Sequence, residues 1–153
     1  MKDATQARLI AGLTAGGSRF DPEALTRLAR EMSDAGRRRD DPVREILSRL
    51  GDRWSPLILF ILQTGSYRHA ALRKVVGALS AEQAISQRML TLRLRALERD
   101  GLVDRAVEPS VPPTVTYSLT PLGAELAGRL SDMVAWIKAH QGEIARARTA
   151  FSP

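Results

Sequence analysis

The chain has no cysteine. Disulfides, thiolate metal sites, cysteine nucleophiles and thiol-based redox sensing are therefore excluded. Histidine is nearly as scarce, and His69 and His140 stand too far apart to show metal-ligand spacing. Long apolar runs are missing. The longest strictly apolar stretch, Leu57 to Leu62, is far too short to span a bilayer, so no membrane partner is expected. The first residues, MKDATQARLIAGL, lack the apolar core of a signal peptide, which makes the cytoplasm the expected compartment. There is no glycine-rich phosphate loop, nucleophile elbow or paired histidine, so neither an enzyme nor a cofactor is expected. Lysine is rare as well: only three of the 23 basic residues are Lys and the rest are Arg. Arginine forks onto phosphate and guanine, which points mildly toward nucleic acid; a GC-rich genome would give the same bias.

What is present fits one ordinary domain with a modest extension. The 153 residues suffice to bury a core without staples, and 44% hydrophobic against 26% charged residues reads as globular. The net charge of +6 is uneven. Residues 68–99 carry seven basic and two acidic groups. The run Arg37-Arg38-Arg39 reads as a solvated linker, with a phosphate-contacting arm as the sharper alternative.

Two short helices are predicted in residues 1–40. The first runs from about Ala4 to Leu13, and the second starts at Asp21-Pro22, where Asp caps and Pro suits the first helical position. Asp41-Pro42 repeats that start, with Val43, Ile46, Leu47 and Leu50 on one face. Ser55-Pro56 opens a helix that is apolar nearly all round, as central helices are. A helix from His69 to about Leu79 follows, and another is capped by Ser86 and stopped by Gly101. Leu102–Val107 and Val115–Leu119 alternate as strands across a proline-rich tip. Thr120-Pro121 then starts a long helix reaching roughly Arg148.

On a helical wheel Leu90, Leu94 and Leu97 share one face of the helix after Ser86. Arg88, Thr91, Leu92 and Arg95 share the opposite face, with Gln87 at its edge. Arginine can fork onto guanine, glutamine onto adenine, and apolar groups can touch the thymine methyl. A solvated amphipathic helix would look the same. The hairpin that follows favours the first reading, because a helix pair and then a hairpin is the winged helix-turn-helix order. The expected fold is mainly α with a small β-hairpin wing. It divides into a helical arm at 1–40, a DNA-binding core at 41–120 and a dimerisation helix at 121–153.

Three stretches resemble HxlR-type transcriptional regulators, relatives of the MarR group. They are DPVREIL followed by GDRWSPLIL from Asp41, ISQRMLT followed by LRALERDGLV from Ile85, and VPPTVTYSLTPLG from Val111. The resemblance implies a homodimeric, sequence-specific repressor that binds a double-stranded operator with two half-sites. It places Ser86, Gln87, Arg88, Thr91, Leu92 and Arg95 in the groove, Arg73 and Lys74 on phosphates, and Arg105 near the base of the wing. The chain departs from the family at four places. Asp41 stands where many members carry a sensing Cys, and Leu92 where a polar residue is common. The Gly77–Ala84 connection is longer than usual, as an extended helix or an extra turn. Thr114 and Thr116 replace charged residues of the wing.

The last helix is longer than a winged-helix core can cover. Its stripe of Leu122, Leu126, Leu130, Met133, Ile137, His140 and Ile144 is expected to pair with a second copy, joined by Leu9 and Leu13. Packing wholly within the chain is the plainer alternative. Trp54, Phe60, Tyr67 and Trp136 are candidates for a small-molecule effector pocket, although aromatics at helical spacing are more often core. The competing function is a winged-helix protein-interaction module that does not bind DNA.

Overall fold

The computed structural model describes residues 20–34, 40–81 and 84–151, with positions 4, 8, 11 and 12 in isolation. The first expected helix, Leu9 and Leu13, and the Arg37–Arg39 run lie outside the described residues, apart from those isolated positions. The chain forms two units, 1–48 and 49–153.

In the first unit α1 spans Pro22–Asp34. The Asp21 carboxylate accepts the backbone N–H groups of Glu23 (2.9 Å) and Ala24 (3.2 Å), which no helical carbonyl would otherwise satisfy. The same device starts α2, Pro42–Leu50, where Asp41 accepts from the Val43 N–H at 2.9 Å.

The second unit holds α3 (Ser55–Leu62), β1 (Tyr67–Arg68), α4 (His69–Leu79), α5 (Gln87–Arg99), β2 (Val103–Glu108), β3 (Thr114–Leu119) and α6 (Pro121–Ala150). Its core is Ile58, Leu59, Ile61 and Leu62 of α3, Leu72 and Val76 of α4, Ile85, Leu90, Leu94 and Leu97 around α5, Leu102, Val103 and Tyr117 of the sheet, and Ala127 and Leu130 of α6. The apolar α3 is the centre of this unit, packing against α4, β3 and α6. The winged-helix order expected from the sequence is thus the order observed.

The sheet is antiparallel in the order β1-β3-β2. The hairpin register runs from Val103 opposite Leu119 to Glu108 opposite Thr114. The two-residue β1, which the periodicity does not reveal, adds Tyr67 opposite Tyr117 and Arg68 opposite Thr116. Two residues are too few for an alternation to register.

Helix α5 ends in a Schellman turn. Gly101 adopts φ 72°, the Leu102 N–H bonds to the Leu97 carbonyl at 2.9 Å and the Gly101 N–H to that of Glu98 at 3.0 Å. Helix α6 starts against this same turn. The Thr120 hydroxyl donates to the Gly101 carbonyl (2.6 Å) and accepts from the Gly123 N–H (2.9 Å), while the Thr120 N–H bonds to the Leu102 carbonyl (3.1 Å). Helix α5, the hairpin and α6 therefore meet at one hydrogen-bonded corner.

Candidate nucleic-acid interface

Ser86 stands at the start of α5 in an extended conformation, and its hydroxyl oxygen accepts from the Met89 N–H at 3.1 Å. Beyond this cap Leu90, Leu94 and Leu97 are completely buried. Gln87, Arg88, Thr91, Leu92 and Arg95 are all exposed. Burying one face in the core commits the other to solvent, so the separation on the wheel survives as a separation in space. Ser86, expected in the groove, has its oxygen engaged as the cap.

Two ion pairs that sequence reading missed fix how this helix sits. Arg93 turns inward, with Nη1 3.4 Å from Asp52 Oδ2. Asp52 also caps α3, taking the N–H groups of Trp54 (2.8 Å) and Ser55 (2.7 Å) and the Ser55 hydroxyl. At the other end of α5 Asp100 pairs with Arg49 and, at 3.3 Å, with Arg99. Within the second unit, Asp52 thus ties the start of α3 to α5, and Asp100 ties Arg49 to the end of α5. The Asp52 contacts with Trp54 and Ser55 are local, but Asp52 stands before the N-cap position of α3, which Trp54 occupies. Its partner was not legible, because a charge count within 68–99 cannot see Asp52.

The +5 of residues 68–99 is therefore not all presented to solvent. Arg93 is used inward, Arg99 shares Asp100, and Arg95 lies 3.2 Å from Glu98. The Arg95 pair is an exposed i,i+3 contact of the kind worth little, so its guanidinium can be redirected at small cost. Arg73 and Lys74 are exposed on α4. They line, with Ala70, Gly77, Ala84 and Gln87, an open cleft of about 380 Å³ between α4 and the start of α5. Arg105 lies within β2 opposite Tyr117 and is half-buried. The tip carries a fully exposed Val111 between Pro109 and Pro112-Pro113. Helix α4 runs to Leu79 and Ser80 closes it, its N–H bonded to the Val76 carbonyl; residues 82–83 of the longer connection lie outside the described residues.

His69, the first residue of α4, reaches α5. Its Nε2 lies 3.1 Å from Thr91 Oγ1, and the Thr91 hydroxyl donates to the Gln87 carbonyl at 2.9 Å. Its ring meets that of Tyr117 at 6.3 Å, tilted by 60°. Burial first, and the Arg73 charge second, hold the His69 pKa below the usual 6.5.

A helix pair with a polar and basic outer face, followed by an antiparallel hairpin, is the geometry of one family of regulators. The model of the HxlR-like helix-turn-helix family matches residues 49–145. The chain belongs to the HxlR-like helix-turn-helix family. This is a class of transcriptional regulators, not of enzymes. The HxlR-like chain is 38% identical over 107 residues to YtfH of Escherichia coli strain K12, an uncharacterised HTH-type transcriptional regulator; the match spans 70% of this chain and 80% of YtfH. It is similar to the solved structure of a putative transcriptional regulator ytfH from Salmonella typhimurium, with a TM-score of 0.60, 36% identity, and 73% of this chain and 95% of that one covered. The redox regulator HypR in its reduced form is similar at a TM-score of 0.58, 34% identity, and 69% and 99% coverage.

In this HxlR-like chain α6 has 30 residues, about 45 Å at 1.5 Å per residue. Leu122, Met133 and Ile137 are exposed, Leu126, His140 and Ile144 are half-buried, and Leu130 is only 3% exposed. Leu130 is a core residue of its own chain, which corrects its expected place on a partner-facing stripe. The four aromatics lie in different surroundings. Trp54 precedes α3, Phe60 is half-buried within it, and the Tyr67 hydroxyl bonds to that of Thr64. Trp136 is 59% exposed and stacks on His140 at 4.4 Å. A cleft of about 440 Å³ is lined by Leu62 to Ser66, Ser118, Leu119 and Ala124. Among the described residues, no helix is long and apolar enough to cross a membrane.

Proposed function

We propose that this HxlR-like regulator is a cytoplasmic homodimer that binds a specific double-stranded operator and represses neighbouring genes. One observation carries the reading. The outer face of α5 offers Gln87, Arg88, Thr91, Leu92 and Arg95 to solvent, and the cleft beside Gln87 is lined by Arg73 and Lys74. Base-reading groups and phosphate-seeking cations thus adjoin, as a major-groove reader requires. Residues 41–120 serve as the reading core, with 1–40 and 121–153 as arms for pairing. The exposed Met133, Trp136 and Ile137 on α6 supply an apolar surface for the second copy. Two-fold pairing sets two half-sites one helical turn, or a multiple, apart.

A small-molecule effector is the form of induction that fits this reading, and a cysteine switch does not, because the chain has no cysteine. The 440 Å³ cleft between α3, β3 and α6 has the size of a ligand site. Footprinting the protein on its own upstream region tests the whole reading. Protection of two half-sites, weakening steeply with salt, supports it. No protection at any salt would favour a winged-helix module that binds protein instead.

A further inference from the structure

We infer that His69 is a specificity-determining positioning residue: by holding the Thr91 hydroxyl it leaves Thr91 to read a thymine methyl. The inference rests on the DNA-reading role proposed for α5.

Thr91 occupies the middle of the outer face, three residues after Arg88 and four before Arg95. Its hydroxyl carries one proton, and a carbonyl can only accept. The 2.9 Å contact with the Gln87 carbonyl therefore takes that proton. His69 Nε2, 3.1 Å away, must then be the donor, which fills one of the two acceptor positions of the hydroxyl. Thr91 then has no proton left to give a base and one lone pair still open, while its γ-methyl is the apolar group it can offer. Leu92, the next residue, is 53% exposed and adds a second apolar group to the outer face. The thymine methyl is the apolar feature of the major groove that such groups recognise.

A helical threonine divides between two rotamers, because its oxygen can bond to the preceding turn in more than one way. The His69 bond selects one of them. His69 is itself fixed, as the first residue of α4 and by the ring of the buried Tyr117. Burial and the neighbouring Arg73 favour the neutral imidazole, and the Thr91 oxygen favours the tautomer with its proton on Nε2. A residue that never reaches DNA would in this way decide which chemistry Thr91 presents.

The test uses an operator selected by the full chain from random duplexes. Each thymine is replaced in turn by deoxyuridine, which pairs identically and lacks the methyl. The wild-type protein should lose about fourfold in affinity at one thymine per half-site, from about 0.8 kcal/mol per buried methyl-sized group. His69→Ala should remove this discrimination and leave the salt slope unchanged. His69→Gln, whose amide N–H can replace Nε2–H, should restore it. Thr91→Ser keeps the hydroxyl, deletes the methyl on an exposed position, and should also remove the discrimination. Thr91→Val should keep it and make it indifferent to His69→Ala, which a general structural role for His69 does not predict. Tight operator binding with no response to deoxyuridine anywhere overturns the inference alone, as does full discrimination in His69→Ala or Thr91→Ser. Failure to select any duplex overturns the DNA-reading role, and the inference with it.

Discussion

Gly123→Ala should destabilise the protein, although alanine is the better helix former. A Cβ at position 123 would lie 1.9 Å from the Leu102 carbonyl oxygen and 2.8 Å from its carbon. That oxygen already accepts from the Thr120 N–H, and the Gly123 N–H is held by the Thr120 hydroxyl. Relief needs a movement of at least about 1 Å at the corner where α5, β2 and α6 meet, and both partners there are backbone. Overpacking of this kind costs about 1–3 kcal/mol. Weakening the Thr120 cap adds about 1 kcal/mol. Against this stands about 1 kcal/mol gained by replacing a helical glycine, so the net loss should be about 1–3 kcal/mol. Gly128 is the control: it lies in the same helix, and a Cβ there meets nothing within 4 Å. Gly128→Ala should stabilise by about 0.5–1 kcal/mol. Urea unfolding at one fixed protomer concentration measures both, since dimerisation would couple stability to concentration. Stabilisation by both substitutions would refute the close approach of α6 to Leu102.

Other consequences follow from the same contacts. Asp52→Ala should cost about 1–3 kcal/mol in urea unfolding, because it uncaps α3 and strands Arg93. Ser86→Ala should cost about 1 kcal/mol by the same assay, through the lost Met89 contact. The His69 pKa is lowered in the folded chain, so the unfolded chain takes up this proton at the higher pH. Stability should therefore rise with pH between the lowered value and about 6.5 and be flat above it, and His69→Gln should remove that slope when urea midpoints are compared. Met133→Asp with Trp136→Asp should convert a dimer to monomers in analytical ultracentrifugation, by placing carboxylates on an exposed apolar face.

The exposed face of α5 was legible in the sequence because amphipathic periodicity needs only local information. Leu90, Leu94 and Leu97 repeat at helical spacing, and their burial leaves Gln87, Arg88, Thr91, Leu92 and Arg95 outside. The helix starts at Asp21, Asp41 and Thr120 were legible for the same reason: a cap and its N–H partner lie within three residues. What escaped was long-range. The partners of Asp52 and Asp100 are 41 and 51 residues away in sequence, and Tyr67 finds Tyr117 only through the sheet. The apolar stripe of α6 could not be divided by periodicity alone. The core takes Leu130 near its start, while Met133, Trp136 and Ile137 stay exposed. The surroundings of the four aromatics were not legible either, because residue type carries no information about where a neighbour's side chain lies.

Operator binding by Arg88→Ala and Arg95→Ala, measured beside circular dichroism of each variant, tests the role of α5 most directly. Each arginine that forks onto a base should contribute about 1–3 kcal/mol per half-site. Both side chains are exposed and neither enters the core, so the circular dichroism spectra should match the wild type. Specific binding should disappear in both variants while weak, salt-sensitive binding to any duplex persists through Arg73 and Lys74. Wild-type affinity for the operator in both variants would show that this face of α5 does not read DNA.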